Sequence, residues 1–235
     1  MRILGRILIG IVLLVALAYG TLLLSRARDF QLFGEIVTRG DGAEQVVALT
    51  FDDGPTAADT PVLLRALEQG DAVATFFLVG RDVVANPEAA RAVVEAGHEV
   101  GNHSWDHPRM VFMSPSAVRA QIEDTDAAIR ALGYDGAIPF RPPFGKKLVV
   151  LPWVLSRMGR ASVMWSMEPD TYLGAEMTAE ALTDYVVDGA EAGDIILLHG
   201  MFPANAATRE ALPGIIEGLR ERGFGFVTVS EILGG

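Results

Sequence analysis

Residues 44–55 read Glu-Gln-Val-Val-Ala-Leu-Thr-Phe-Asp-Asp-Gly-Pro, a continuous apolar run closed at once by two carboxylates and a turn. A strand exposed on one face alternates apolar with polar, whereas Glu44–Phe51 does not alternate, as expected of a parallel strand covered on both faces. The same style recurs along the chain. Val73–Val79 (Val-Ala-Thr-Phe-Phe-Leu-Val) predicts a second strand, and shorter ones are expected at His98–Gly101, Ala137–Phe140, Ala161–Trp165, Asp194–Leu198 and Gly225–Val229. Helices fill the intervals. Thr60 is expected to cap one with Pro61 at its first position and Gly70 at its end; Asn86-Pro87 to Gly97 and Ser114-Pro115 to Gly133 predict two more. Seven strands in about 190 residues fit a shortened or incomplete α/β barrel better than a doubly wound sheet, a full eight-unit barrel needing ~250 residues, although periodicity alone leaves both open.

Composition narrows the chemistry. The chain has 235 residues, half of them hydrophobic and 21% charged, which excludes disorder. A net charge of −11 argues against a sequence-independent grip on nucleic acid. There is no cysteine, so any metal must sit on His, Asp or Glu, and there are four histidines.

The first 28 residues differ in kind. Ile7 to Leu24 is 18 residues without a charge, flanked by Arg2 and Arg6 before and Arg26 and Arg28 after. At ~1.5 Å per residue such a run crosses most of a bilayer core. Ala16-Leu17-Ala18 offers a cleavage site for the competing signal-peptide reading, but cleavage would leave Leu22-Leu23-Leu24 exposed. The expected organisation is a membrane anchor over 1–28, a tether over 29–44 and one domain over 45–235, the domain outside the cytoplasm. Residues 29–235 hold 15 basic and 30 acidic residues, a net of −15. Such an exterior favours a neutral, mixed or cationic substrate, although acidity that only keeps the domain soluble accounts for it equally.

Polar residues gather at strand ends. Asp52 and Asp53 repel each other unless one holds a cation, or they form an ordinary acidic turn. His103-Ser-Trp-Asp-His107-Pro carries two imidazoles four residues apart, a metal-chelating spacing that also arises by chance. Arg141-Pro-Pro-Phe144-Gly145 projects a permanent cation suited to a carboxylate, with Phe144 as the next free backbone donor because both prolines lack an N–H, or is equally a rigid proline turn with a surface arginine. His199 ends the apolar strand Ile195–Leu198, where a barrel places an acid or base and a core histidine would also fit. His98 belongs to no cluster and reads as structural.

Together these segments resemble the polysaccharide deacetylases with a NodB-homology domain, carbohydrate esterase family 4. The resemblance rests on Thr50-Phe-Asp-Asp-Gly-Pro55, His103–Pro108, Arg141–Gly145, a Trp-led acidic motif from Trp165 and Leu197-Leu-His199, and covers roughly 45–233 with the closing Gly223–Leu233. It implies a distorted (β/α)7 barrel. It also implies a divalent metal, Zn2+, on Asp53, His103 and His107, with Asp52 as general base, Arg141 orienting it and His199 as general acid. The Phe144 N–H would hold the oxyanion, and Leu197 with an aromatic of the fourth motif, Tyr172, would enclose the acetyl methyl. The chain departs from the family in two places. Phe144 stands where tyrosine is usual. Trp165-Ser-Met-Glu-Pro-Asp-Thr-Tyr172 puts Thr171 where the family has its second aspartate, so that Asp170 is expected to tune His199 from one residue away. The expected activity is N-deacetylation of a GlcNAc-containing glycan, peptidoglycan or chitin-like. The alternatives are a deformylase or deacylase of a lipid-linked amino sugar and a non-catalytic sugar-binding module of the envelope. The expected partners are the glycan or lipid-linked sugar and, through the N-terminal helix, the membrane; no protein partner is expected.

Overall fold

The computed structural model describes residues 2–25 and 27–234; Arg26, one of the arginines expected to flank the apolar run, lies outside them with Met1 and Gly235. Helix α1 (Arg2–Leu24) contains a 20-residue stretch, Gly5–Leu24, of mean hydropathy 2.7, none of it buried. By length and composition it can cross a membrane, a test a signal sequence also passes.

The rest alternates strand and helix: β1 (Ile36–Val37), β2 (Val46–Asp52), α2 (Thr60–Gln69), β3 (Ala74–Leu78), α3 (Gly80–Ala85), α4 (Pro87–Glu95), β4 (Glu99–Asn102) and α5 (Pro115–Ala131). There follow α6 (Val150–Arg157), β5 (Ser162–Val163), α7 (Pro169–Leu173), α8 (Ala179–Gly189), β6 (Ile195–Leu198), α9 (Ala206–Glu221), β7 (Gly225–Phe226) and α10 (Val229–Ile232). Every strand pairing is parallel. The main sheet runs β4-β3-β2-β6 with β7 also on β2, and β1 pairs β5. Single bridges, Asn102 to Phe140, Phe140 to Ser162 and Met167 to Ile196, carry the circuit round from β4 to β6. The result is a (β/α)7-type barrel whose wall thins to isolated bridges on one side.

Strand β2 shows why its sequence does not alternate. Val47, Leu49 and Phe51 face the helices, packing with Leu63, Leu67, Leu182, Ile215 and Leu219. Ala48 faces the interior with Phe77, Trp165 and Leu197, and so do Thr50 and Asp52, which meet Arg141 there. Register then sets the site. Asp52 is level with Phe77, Phe51 with Leu198, Leu78 with Asn102, and Asn102 with Phe140. The residues that follow, Asp53, His103, Arg141 and His199, therefore emerge on one rim, the C-terminal face where barrels carry their sites.

Three expectations are corrected. Ala137–Phe140 is not a strand: Pro139 has no N–H to donate, and only Phe140 bridges, while the Pro139 carbonyl accepts from Asn102 at 2.7 Å. Thr60 does not cap α2 but begins it, and Asp59 takes the cap position. Gly225–Val229 pairs only over Gly225–Phe226, because the Thr228 hydroxyl and Glu231 form a capping box that turns the chain into α10. The segment 29–44 is fastened to the barrel. Ile36 and Val37 pair with Ser162 and Val163, the Gly40 N–H donates to the Gly193 carbonyl at 2.8 Å, and Arg39 bonds Asp194 at 2.9 Å.

Candidate active site

Asp52 ends β2 pointing into the barrel, nearly fully buried. Its Oδ1 accepts from Arg141 Nη1 at 2.7 Å. Arg141 is itself fully buried; it also donates to Thr50 Oγ1 (2.7 Å) and the Met164 carbonyl (3.0 Å), and its guanidinium carbon lies 4.0 Å from the Phe77 ring centre. Thr50 can accept because its own hydroxyl proton goes to the Ile196 carbonyl at 2.8 Å. Burial pushes the Asp52 carboxyl up, but Arg141, then His103 and His199, outweigh it and hold the group below the usual carboxylate range. A buried ion pair adds little to stability. What this one secures is an ionised carboxylate in one orientation, with Oδ2 left 3.6 Å from His103 Nε2.

One residue on, the backbone turns left-handed. Asp53 has φ 73°, and in the next loop Ser104 and His107 have φ 66° and 57°. Such values are uncommon outside glycine and concentrate at functional turns. They bring one ligand atom from each of Asp53, His103 and His107 within 4.8 Å of one another. His103 Nδ1 lies 2.8 Å from the Arg141 carbonyl. A carbonyl can only accept, so a proton sits on Nδ1, and Nε2 is the ring atom turned to the cluster. The His107 ring lies 4.8 Å from that of His103 and 4.4 Å from that of Phe144. Burial, then His103, lowers its pKa to about 4, despite the opposing pull of Asp53, so it is neutral with a lone pair to give. A carboxylate and two imidazoles on one side of an open cleft fit a divalent ion such as Zn2+ that keeps free positions.

His199 follows β6, the strand beside β2. Its Nδ1 lies 2.7 Å from Asp170 Oδ2, which also accepts the His199 backbone N–H at 2.9 Å. Burial opposes protonation, but the Asp170 hydrogen bond and charge, then Asp52 and Asp53, raise the pKa to about 9. Glu168, two residues before Asp170, is turned elsewhere: it accepts from Trp165 Nε1 (2.9 Å) and Thr171 Oγ1 (2.7 Å). Phe144 has φ 57°, and among the described residues its N–H has no hydrogen-bond partner.

Of the ten residues singled out in the sequence, Asp52, Asp53, His103, His107, Phe144, Tyr172, Leu197 and His199 line one cleft of ≈ 710 Å³. Arg141 lies beneath Asp52, and Asp170 beside His199. Tyr172 is 74% exposed, its ring tilted against that of Tyr185 with centres 4.9 Å apart. Of the aromatics in the fourth motif, Trp165 packs in one cluster with Leu197. Trp165, Tyr185 and Arg28 also line the cleft and were not foreseen as site residues. Trp165 was in view as the head of the fourth motif, whereas Tyr185 on α8 and Arg28 beside α1 carry no motif.

The family model for polysaccharide deacetylases matches residues 39–163. The chain is 35% identical over 206 residues to the peptidoglycan-N-acetylglucosamine deacetylase of Bacillus cereus, covering 88% of this chain and 96% of that one. It is also 35% identical over 190 residues to the peptidoglycan-N-acetylglucosamine deacetylase PgdA of Listeria monocytogenes, covering 80% of this chain but 39% of that longer protein. Among solved structures, a peptidoglycan N-acetylglucosamine deacetylase bound to 4-naphthalen-1-yl-N-oxidanyl-benzamide superposes with a TM-score of 0.77 at 31% identity, over 84% of this chain and 92% of that one.

Proposed function

The chain belongs to the polysaccharide deacetylase family, and from that premise we propose that it hydrolyses N-acetyl groups on a GlcNAc-containing glycan, with a divalent metal, outside the cytoplasm. The observation that carries this reading is the convergence, in one cleft at the ends of the neighbouring strands β2 and β6, of the Asp52–Arg141 pair and the His199–Asp170 pair, with Asp53, His103 and His107 grouped in the same cleft. A GlcNAc unit of peptidoglycan is the favoured substrate, because the B. cereus and L. monocytogenes relatives are named for that sugar.

Asp53, His103 and His107 would hold the ion, Zn2+ by the donor set, and it would supply Lewis-acid polarisation of the amide carbonyl. Asp52, kept ionised by Arg141, takes a proton from the attacking water through its free Oδ2. The Phe144 N–H donates to the developing oxyanion. His199, positive at neutral pH, delivers a proton to the amide nitrogen as the C–N bond breaks, because an unprotonated amine is a poor leaving group. Acetate and a free amino sugar result. Leu197 and Trp165 form the apolar wall against which the acetyl methyl packs. Residues 1–28 act as an anchor and 45–235 as the catalytic domain.

Deformylation or deacylation of a lipid-linked amino sugar is the second reading, favoured by α1. Mass spectrometry of the full chain in detergent separates the two: acetate and a glycan lighter by one acetyl group are expected, abolished in Asp52→Asn. Formate from a formylated lipid-linked sugar, with no product from N-acetylated glycans, would replace the first reading by the second.

A further inference from the structure

The segment that leaves the apolar helix is fastened to the loop after Phe144. Ser25 is buried, and its carbonyl accepts from the Lys147 backbone N–H at 3.0 Å. The Lys147 side chain is fully buried and donates from Nζ to the Ala27 carbonyl at 2.6 Å. Burial lowers the ammonium pKa to about 8 against the opposing charge of Asp29. Burying a charge on a neutral carbonyl costs stability that an apolar side chain of similar volume would not. What the arrangement secures is position.

The residue it positions is Arg28. This side chain is exposed on the wall of the catalytic cleft, shared with Asp53, Glu168, Tyr172 and His199. Among the described residues it has no ion pair. It is the one Lys or Arg among the lining side chains. Arg141 is committed to Asp52, and Arg109 lies 4.6 Å over the Phe144 ring. In a domain of net charge −15 a fixed, unpaired cation on the cleft wall makes a local exception to a surface that on balance disfavours anions.

We propose that Arg28 is a specificity-determining residue of the cleft, held there by Lys147, and that it grips an oxyanion, carboxylate or phosphate, carried on the glycan beside the N-acetyl sugar being hydrolysed. The proposal rests on the deacetylase reading of this cleft. A guanidinium pairs bidentately with either anion, whereas the neutral parts of the sugar offer it nothing comparable.

The test uses the full chain in detergent micelles with three substrates: a neutral N-acetylglucosamine oligomer, an oligomer whose alternate sugars carry a lactyl carboxylate, and N-acetylglucosamine joined through pyrophosphate to a short isoprenoid. Arg28→Ala is expected to lower the preference for an anionic over the neutral substrate about tenfold, through KM rather than kcat, with partial recovery in Arg28→Lys. A loss confined to the lactyl substrate assigns the anion as a carboxylate, and one confined to the pyrophosphate substrate as a phosphate. Lys147→Met should lower the same preference with Arg28 intact and speed tryptic cleavage after Arg28. Calorimetric binding of the three substrates to Asp52→Asn, with and without Arg28→Ala, reads the preference without turnover. Absence of turnover on every substrate would thus overturn the deacetylase reading while the binding ratio still decides Arg28. A ratio unchanged by Arg28→Ala, or a loss equal on all three substrates, would overturn the proposal.

Discussion

Asp52 and Asp53 are adjacent and chemically identical, and the backbone gives them opposite surroundings. Asp52 ends a strand and is buried on Arg141; Asp53 sits on left-handed backbone with Oδ1 3.6 Å from His107. Asp53→Ala and His103→Ala should lose metal and regain part of their activity in excess Zn2+. Asp52→Asn should keep the metal and still lose roughly 10²–10⁴ in kcat, beyond rescue by metal. Elemental analysis beside kcat decides, and a metal-free Asp52→Asn with a metal-replete Asp53→Ala would exchange the two roles. The His199–Asp170 pair makes a pH prediction. With a folded pKa of about 9, above the unfolded 6.5, the contact stabilises fully below about pH 6.5 and is lost as pH rises through 9; the acid form, and with it the rate, falls over the same rise. In Asp170→Asn burial acts with less opposition, so the basic limb of the pH–rate profile should move to lower pH with metal retained. Glu168→Gln should leave that limb in place, because Glu168 serves Trp165 and Thr171; the opposite pattern would assign the tuning to Glu168. The sequence made Asp52, Asp53, His103, His107 and His199 legible because they sit at strand ends in ordered motifs. The partner of His199 was harder to read. Asp170 reaches it across 29 residues of chain, through a short helix whose first turn no spacing rule orients.

At the scale of elements, strands buried on both faces announce themselves by unbroken apolar runs, and helices bounded by Ser-Pro or Asn-Pro and Gly can be delimited nearly to the residue. Two-residue strands cannot. Ile36–Val37 is too short for any periodicity, and Phe140 joins the barrel as a single residue, bridging Asn102 on one side and Ser162 on the other. Packing between elements links these pieces to the site. A Cβ at Gly101 on β4 would meet the Phe77 ring at 2.5 Å, and that ring underlies the Arg141 guanidinium. Gly101→Ala is therefore expected to cost roughly 1–3 kcal/mol and to lower kcat by displacing Arg141. Ser114→Ala removes only the cap that accepts the Ala117 N–H at the start of α5, and should cost about 1 kcal/mol with kcat unmoved. Urea unfolding midpoints measured beside kcat compare the two. Equal kcat in both variants would detach the Phe77 ring from the function of Arg141.

For the whole molecule, the expected arrangement is an uncleaved α1 with the barrel outside the cytoplasm. Reporter fusions after residue 40 should be active only on the outer side, and the N-terminal residues should persist in the mature chain; a mature N-terminus at Tyr19 would show a cleaved signal instead. The clamp between Lys147 and Ala27 then has a consequence in reach and in time. Arg28 stands four residues beyond Leu24, the last residue of α1, and four residues span at most about 14 Å. One wall of the cleft thus stays within that distance of the end of the apolar helix, however the rest of the barrel tilts. With α1 retained in the bilayer, an enzyme on so short a leash would meet a glycan only while that glycan lies against the membrane. For a wall polymer assembled at the membrane, that is its youngest layer. Acetyl groups would be removed as the strand is laid down, and older layers, pushed outward, would pass beyond revision.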